Sequence, residues 1–176
     1  MAWIFSLSAE CGSNQDDAES FAKHFHEVSW QLSNGVESKC SAETFEDSED
    51  NWWTRVCPGS ISQVGIQTPE DAYQMTELGI YLYKYLQSAP RFRYALVGVE
   101  VDEFRTYSEL LTPPHELNVY SPGLVLAETL WQLIGCPMSF RFFASGYVWK
   151  PYEGEVYKPL IASSNLKDKL KELLAV

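Results

Sequence analysis

The chain has three histidines, the residues that most often transfer protons near neutral pH. His24 and His26 are two positions apart in a segment with helical periodicity, so they point about 200° apart around the helix. Side chains on opposite sides of a helix cannot both bind one metal ion, so His24 and His26 do not form a metal site together. His115 follows two prolines in a polar connection. The histidines are therefore interpreted as structural or solvated residues, and no metal or other cofactor is predicted.

The cysteines are spaced widely and irregularly. They are Cys11, Cys40, Cys57 and Cys136. This spacing matches neither a zinc site nor the dense disulfide framework of a small secreted domain, so reduced and mostly buried thiols are expected. Cys11 lies just before a predicted helix, where the helix dipole would lower a thiol pKa and favour a nucleophilic thiolate. The neighbouring acids Glu10, Asp16 and Asp17 oppose that hypothesis.

Carboxylates follow the most apolar predicted strand, at 92–101. On an extended chain Glu100 and Asp102 point to the same side, as a metal site or an acid–base pair requires, and Glu103 follows them. The simpler interpretation is that the strand emerges into water at this point. The sequence favours that simpler interpretation.

One short motif suggests a nuclease. Glu37-Ser38-Lys39 matches the E-x-K of some metal-dependent nucleases, but the predicted strand before it, 28–33, lacks the aspartate that such a site needs. The sequence also lacks the phosphate-binding loop, the dinucleotide-binding glycine pattern, the G-x-S-x-G elbow, the H-E-x-x-H zinc motif and the EF-hand loop. No catalytic residue is predicted, and an enzyme is less favoured than a binding protein.

The chain is strongly acidic, with a net charge of −11 and a sequence pI of about 4.6. Residues 1–58 hold eleven acidic and three basic side chains. This charge opposes unassisted binding to DNA, RNA or anionic lipid. It could attract a basic partner at long range, or it could serve only solubility.

The acidic run before Trp52-Trp53 is the predicted partner-binding segment. The predicted site consists of Glu46, Asp47, Glu49, Asp50, Trp52 and Trp53. The carboxylates would steer a basic protein, and an indole would anchor it. On a strand at most one of two adjacent indoles faces the core, so the other is expected to be accessible. The alternative is a solvated loop beside one core tryptophan.

Helix and strand patterns predict one α+β domain over residues 1–176, with a mixed or mostly antiparallel sheet. Two long helices at about 69–88 and 122–134 are expected to pack on that sheet, and both begin with a cap residue and a proline. Shorter helices are predicted near 15–27 and 166–174. Strands are predicted at the amino terminus, around an Asn34-Gly35 hairpin, at 52–57, 61–66, 92–101, 139–149 and 156–161.

The alternative function is a small-molecule enzyme or ligand-binding domain. Its pocket would lie between the two long helices and the strands at 92–101 and 139–149. Arg93 and Arg141 occupy similar positions in Phe-Arg-aromatic segments, an echo that suggests either a duplication or chance, and they could hold an anion at the rim. A deep cavity with perturbed titratable groups would favour this function, and a flat acidic aromatic patch would favour protein binding.

The amino-terminal segment lacks the basic region and the long apolar run of a signal peptide. The sequence has no apolar run of the length that spans a bilayer. The expectation is a cytoplasmic protein without membrane association or direct contact with nucleic acid.

Overall fold

The described residues form one antiparallel sheet with helices on its faces. The computed structural model describes residues 3–112, 120–155 and 168–172. Within these residues the strands are β1 (Phe5–Gly12), β2 (Ser29–Gln31), β3 (Glu37–Glu46), β4 (Trp52–Pro58), β5 (Tyr94–Val99), β6 (Val125–Ala127), β7 (Arg141–Ala144) and β8 (Tyr147–Trp149). The helices are α1 (Gln15–Phe25), α2 (Pro69–Leu86), α3 (Tyr107–Leu111) and α4 (Glu128–Leu133), and residues 168–172 are also helical.

The sheet has the order β2-β3-β4-β1-β5-β6-β8-β7, and the pairings between its neighbouring strands are antiparallel. The predicted α+β class with a mostly antiparallel sheet is confirmed. The Asn34-Gly35 hairpin is confirmed between β2 and β3, with Gly35 at φ +82°. Residues 61–66, predicted as a strand, are not part of the sheet.

The central strand β1 is buried on both faces. Its odd-numbered residues, from Phe5 to Cys11, join the core formed with α1 and α2. Its even-numbered residues Ser6, Ser8 and Glu10 face the other side, and each of them is completely buried. A buried polar row in the middle of a sheet requires hydrogen-bonding partners, because an unpaired buried polar group costs free energy.

Helices α1 and α2, which pack on the odd-numbered residues of β1, both begin at the capping residues that the sequence predicts. Asn14 caps α1 by accepting a hydrogen bond from the backbone N–H of Asp16. Thr68 and Asp71 form a reciprocal capping box at the start of α2, with Pro69 as the first helical residue. The predicted helices 15–27 and 69–88 are therefore present, with slightly shorter ends.

The predicted long helix 122–134 was wrong. Gly123 adopts φ +92°, and the apolar residues after it form strand β6, which pairs with β5 and β8. Only the six-residue α4 follows. A short, continuous apolar run is equally typical of a buried strand and of a buried helix, and the sheet here provided the better burial. Accordingly, α2 is the one long helix among the described residues.

Two other predicted elements also differ. The strand 139–149 is a tight hairpin of β7 and β8, with Gly146 at φ +83°. The echoed segments therefore lie in a central strand, β5, and an edge strand, β7, which occupy unlike places in the sheet. Of the predicted helix 166–174 only 168–172 lies within the described residues, and the predicted strand 156–161 lies outside them.

Gly79 in the middle of α2 makes a close contact that a larger residue would break. A Cβ at this position would lie 2.4 Å from the hydroxyl oxygen of Tyr152. Alanine normally stabilises a helix interior relative to glycine by about 1 kcal/mol. We expect Gly79→Ala to have the opposite sign here and to lower the free energy of unfolding by about 1–3 kcal/mol, because the core is overpacked.

Urea denaturation measures this effect directly. Lys84→Ala, at an exposed position of the same helix, is the matched control, and its stability should change by no more than about 0.5 kcal/mol. A Gly79→Ala variant that is more stable than the wild type would contradict the close packing of Tyr152.

Candidate functional site

The predicted partner-binding segment forms a tight turn between β3 and β4, here called the acidic turn (residues 46–52). Asp47 holds it together. Its Oδ1 accepts hydrogen bonds from the backbone N–H groups of Glu49 at 2.8 Å and Asn51 at 3.0 Å. Its Oδ2 accepts one from Nε1 of Trp53 at 2.7 Å. Asp47 is only 7% exposed, so its carboxylate organises the turn and is not available to a partner.

The two adjacent tryptophans lie on opposite faces of β4. Trp53 is completely buried and packs edge-on against Tyr94 and Phe104, with ring centroids 5.4 and 5.7 Å away. Trp52 is half-buried at the edge of the core on the helical face. As predicted, the two side chains point to opposite faces of the strand, and Trp53 is the one that is completely buried. Only Trp52 retains indole surface that a partner could contact.

Glu49 also has an internal role. Its carboxylate accepts hydrogen bonds from the hydroxyl of Thr106 at 2.7 Å and the backbone N–H of Ser108 at 3.1 Å. These bonds hold the pKa of Glu49 below its usual range. They also tie the acidic turn to the start of α3. The carboxylates of Glu46 and Asp50 remain exposed, and Asp50 adopts a left-handed conformation with φ 58°.

A buried ion pair lies beside the acidic turn. Nε of Arg93 lies 2.7 Å from Oε2 of Glu10, whose side chain is completely buried. The same guanidinium donates to Oδ1 of Asn51 at 2.9 Å and stacks 3.8 Å from the centre of the Tyr107 ring. Burial raises the pKa of Glu10, although the hydrogen bond and charge of Arg93 act to lower it.

Sequence reasoning missed this pair, because Glu10 and Arg93 are 83 positions apart. The available signal was a glutamate within an otherwise apolar and small-residue strand. Such a residue on a central strand needs a buried cation.

A second polar network lies along the same face of the sheet. Ser8 donates to Oδ1 of Asp102 at 2.9 Å, and Arg55 binds both Asp102 and Glu43. Glu100 lies elsewhere, with its carboxylate accepting the backbone N–H of Ile4 at 2.8 Å. Glu100 and Asp102 therefore do not form the paired site considered from the sequence. Within the described part of the chain, no cluster of three or more potential metal ligands is found.

The hypothesis of a reactive thiol at Cys11, which the sequence did not favour, finds no support in the environment of this residue. Cys11 points into the core, and burial raises the pKa of its thiol to about 12. The ring of His24 stacks on Tyr85 at 4.4 Å, and His26 is exposed at the end of α1. His115 lies outside the described residues. Lys39 of the E-x-K motif pairs with Glu27 at 3.2 Å.

The ligand pocket was predicted to lie between two long helices, and residues 122–134 do not form the second of these helices. The space between α2, β5 and β8 is filled by aromatic rings, among them Tyr83, Phe143 and Trp149. Arg93 is bound to Glu10, whereas Arg141 is exposed on the edge strand β7. The structure does not bring these two arginines together.

The described helices include none that is both long and apolar enough to cross a bilayer. No family model, curated protein or solved structure matches this chain.

Proposed function

We propose that the chain is an acidic protein-binding module that binds a basic partner through the acidic turn, as an inhibitor or immunity-type protein would. The contacting groups are the carboxylates of Glu46 and Asp50 and the accessible surface of Trp52. Asp47, Glu49 and Trp53, which belong to the same sequence segment, act by holding the turn in place.

The observation that supports this proposal is the network of hydrogen bonds around Asp47. Three donors converge on this one buried carboxylate, so the turn does not need to be ordered when a partner binds. Association otherwise costs free energy for every loop and side chain that becomes fixed. A rigid turn with exposed carboxylates can therefore bind with little loss of conformational entropy.

Charge supports the same function. The net charge of −11 produces an attractive field for a basic protein, which raises the rate of encounter at low salt. The half-buried Trp52 lies in the same turn as the exposed carboxylates of Glu46 and Asp50, and it pairs with Glu46 across the strands. Tryptophan is among the residues that contribute most to protein interfaces. Carboxylates for steering and an indole for anchoring thus lie within one turn.

The test is recovery of a partner from a lysate of the source organism, with variants of the purified, tagged chain. We expect the wild type to recover a stoichiometric basic protein at low salt and to lose it as salt rises. Glu46→Gln combined with Asp50→Asn should slow association with the purified partner by about tenfold at low salt. Both changes are at exposed positions, and asparagine tolerates the left-handed conformation of residue 50.

Glu37→Gln combined with Glu153→Gln is the matched control. It removes the same amount of charge at exposed positions outside the turn. If both double variants weaken binding equally, the acidic turn is not the contact surface. If the wild type recovers no basic partner at low salt, the proposed function is wrong.

A further inference from the structure

A separate cavity of about 390 Å³ lies at the end of the sheet where β5 stops. It is lined by Trp3, Val64, Gly65, Ile66, Val99 and Glu155. Its volume is in the range of sites for small molecules. Among the described residues its walls are mostly apolar, and Glu155 is the ionisable group. It touches the predicted strand 92–101 only at Val99, and it lies away from the acidic turn.

The indole of Trp3 forms part of the wall of this cavity. The backbone N–H of Trp3 donates to the carbonyl of Gln63 at 2.9 Å. The ring lies directly on Gly65, where a Cβ would be 3.3 Å from the indole, and Gly65 adopts φ +82°. Trp3 and Val64 are 52% and 58% exposed, so the wall that they form is open to an incoming molecule.

Glu155, the acidic residue among the described lining residues, is held in place by two hydrogen bonds. The hydroxyl of Tyr152 donates to Oε1 of Glu155 at 3.1 Å, and the backbone N–H of Glu155 donates to the hydroxyl of Thr76 at 2.8 Å. No lysine or arginine of the described residues forms an ion pair with this carboxylate. Burial raises the pKa of Glu155 to about 7. A cation that entered the cavity would provide a counter-charge for this buried carboxylate.

We propose that this cavity, here called the Glu155 cavity, binds a small amine with an apolar body. The ammonium group would donate to the carboxylate of Glu155, and the apolar body would lie against Val64, Ile66, Val99 and the indole of Trp3. The aromatic face at the mouth also favours a cation over an anion. The net negative charge of the chain raises the local concentration of such a ligand and opposes carboxylates and phosphates.

The inference does not rest on the proposed protein-binding function, because the two sites share no residue. Its test uses the full chain and three probes of similar shape: 2-phenylethylamine, 2-phenylethanol and phenylacetate. We expect calorimetric titration to show binding of the amine about tenfold or more tighter than the alcohol, because a hydrogen bond to a charged group is stronger than a neutral one. Phenylacetate should bind more weakly than the alcohol.

Glu155→Gln should remove the preference for the amine while it leaves the affinity for the alcohol within about twofold. Glu153→Gln removes an exposed charge two positions away and should leave all three affinities unchanged. Val64→Trp, at an exposed position, should obstruct the mouth and weaken both amine and alcohol. This variant keeps the test decisive even if Glu155→Gln folds poorly.

Three results would overturn the proposal. One is equal binding of the three probes by the wild type, which would show an apolar cavity without recognition of charge. A second is no binding of the amine at millimolar concentration. Persistence of the amine preference in Glu155→Gln would assign recognition to another group and would overturn the proposal as well.

Discussion

Replacement of Arg93 by methionine is expected to lower the free energy of unfolding by about 3 kcal/mol near pH 8, because it leaves a completely buried glutamate without its cation. This value lies at the lower end for buried ion pairs, since the Arg93 side chain is 26% exposed. Methionine retains most of the aliphatic stem, so the loss is mainly electrostatic. The hydrogen bond to Asn51 and the contact with Tyr107 are lost with the guanidinium.

The pH dependence of the variant identifies the responsible group. Burial already raises the pKa of Glu10 in the wild type, and loss of Arg93 should raise it further. The folded state then binds a proton at Glu10 that the unfolded chain has released, so stability falls as pH rises above the unfolded pKa. The deficit of Arg93→Met should therefore be largest near pH 8 and should shrink as pH falls towards about 5.

Urea titrations at several pH values measure how the stability of Arg93→Met depends on pH. Two further variants test whether the loss comes from the unpaired charge of Glu10. Arg91→Met makes the same substitution at an exposed position two residues away and should be nearly neutral. Glu10→Gln added to Arg93→Met should restore part of the stability at pH 8, because a neutral amide replaces the unpaired charge. A deficit that is independent of pH, or that Glu10→Gln does not reduce, would contradict the electrostatic interpretation.

Elements that depend on near neighbours could be predicted from the sequence. The start of α2 is specified by Thr68, Pro69 and Asp71, which lie within four positions and form their cap locally. The hairpin at Asn34-Gly35 depends on Gly35, which adopts φ +82°, and on the side-chain oxygen of Asn34, which accepts the backbone N–H of Val36. These elements appear where the patterns predict them.

The segment 122–134 shows why other elements could not be predicted. Its apolar residues can be buried either by a helix or by a strand, and their pattern does not distinguish the two. The choice depends on β5 and β8, which offer hydrogen-bonding edges on both sides of β6. Those partners are distant in sequence, so local propensity could not reveal them.

The sequence predicts the segment that forms the candidate site, but not which of its residues are buried. The acidic run and its neighbouring tryptophans are visible in the sequence, as is the rule that Trp52 and Trp53 face opposite sides. Which of them is buried depends on Tyr94 and Phe104, which the sheet brings over Trp53. The division of the acids into exposed groups and hydrogen-bonded groups likewise depends on tertiary contacts.

Replacement of Trp53 by alanine is expected to lower the free energy of unfolding by about 3–5 kcal/mol. Trp53 is one of the largest completely buried side chains, and its removal leaves a cavity between Tyr94 and Phe104. It also deprives the buried Asp47 of its indole donor. Trp53→Phe keeps an aromatic ring but removes the N–H together with part of the ring volume, at an expected cost of about 1–3 kcal/mol.

Trp52→Phe is the matched control, since Trp52 is half-buried and makes no hydrogen bond to Asp47. Its stability should fall by less than that of Trp53→Phe, and equal losses in urea denaturation would contradict the distinction between the two residues.

Under the proposed function the two variants should differ in the opposite sense in their affinity for a partner. Trp52→Phe should weaken binding directly, because it changes the contacting indole. Trp53→Phe should act only by loosening the turn, seen as faster hydrogen exchange at the Glu49 and Asn51 amides that Asp47 now holds. A folded Trp53→Phe variant with unchanged amide exchange but lost binding would show that the turn is not held by Asp47 and the indole.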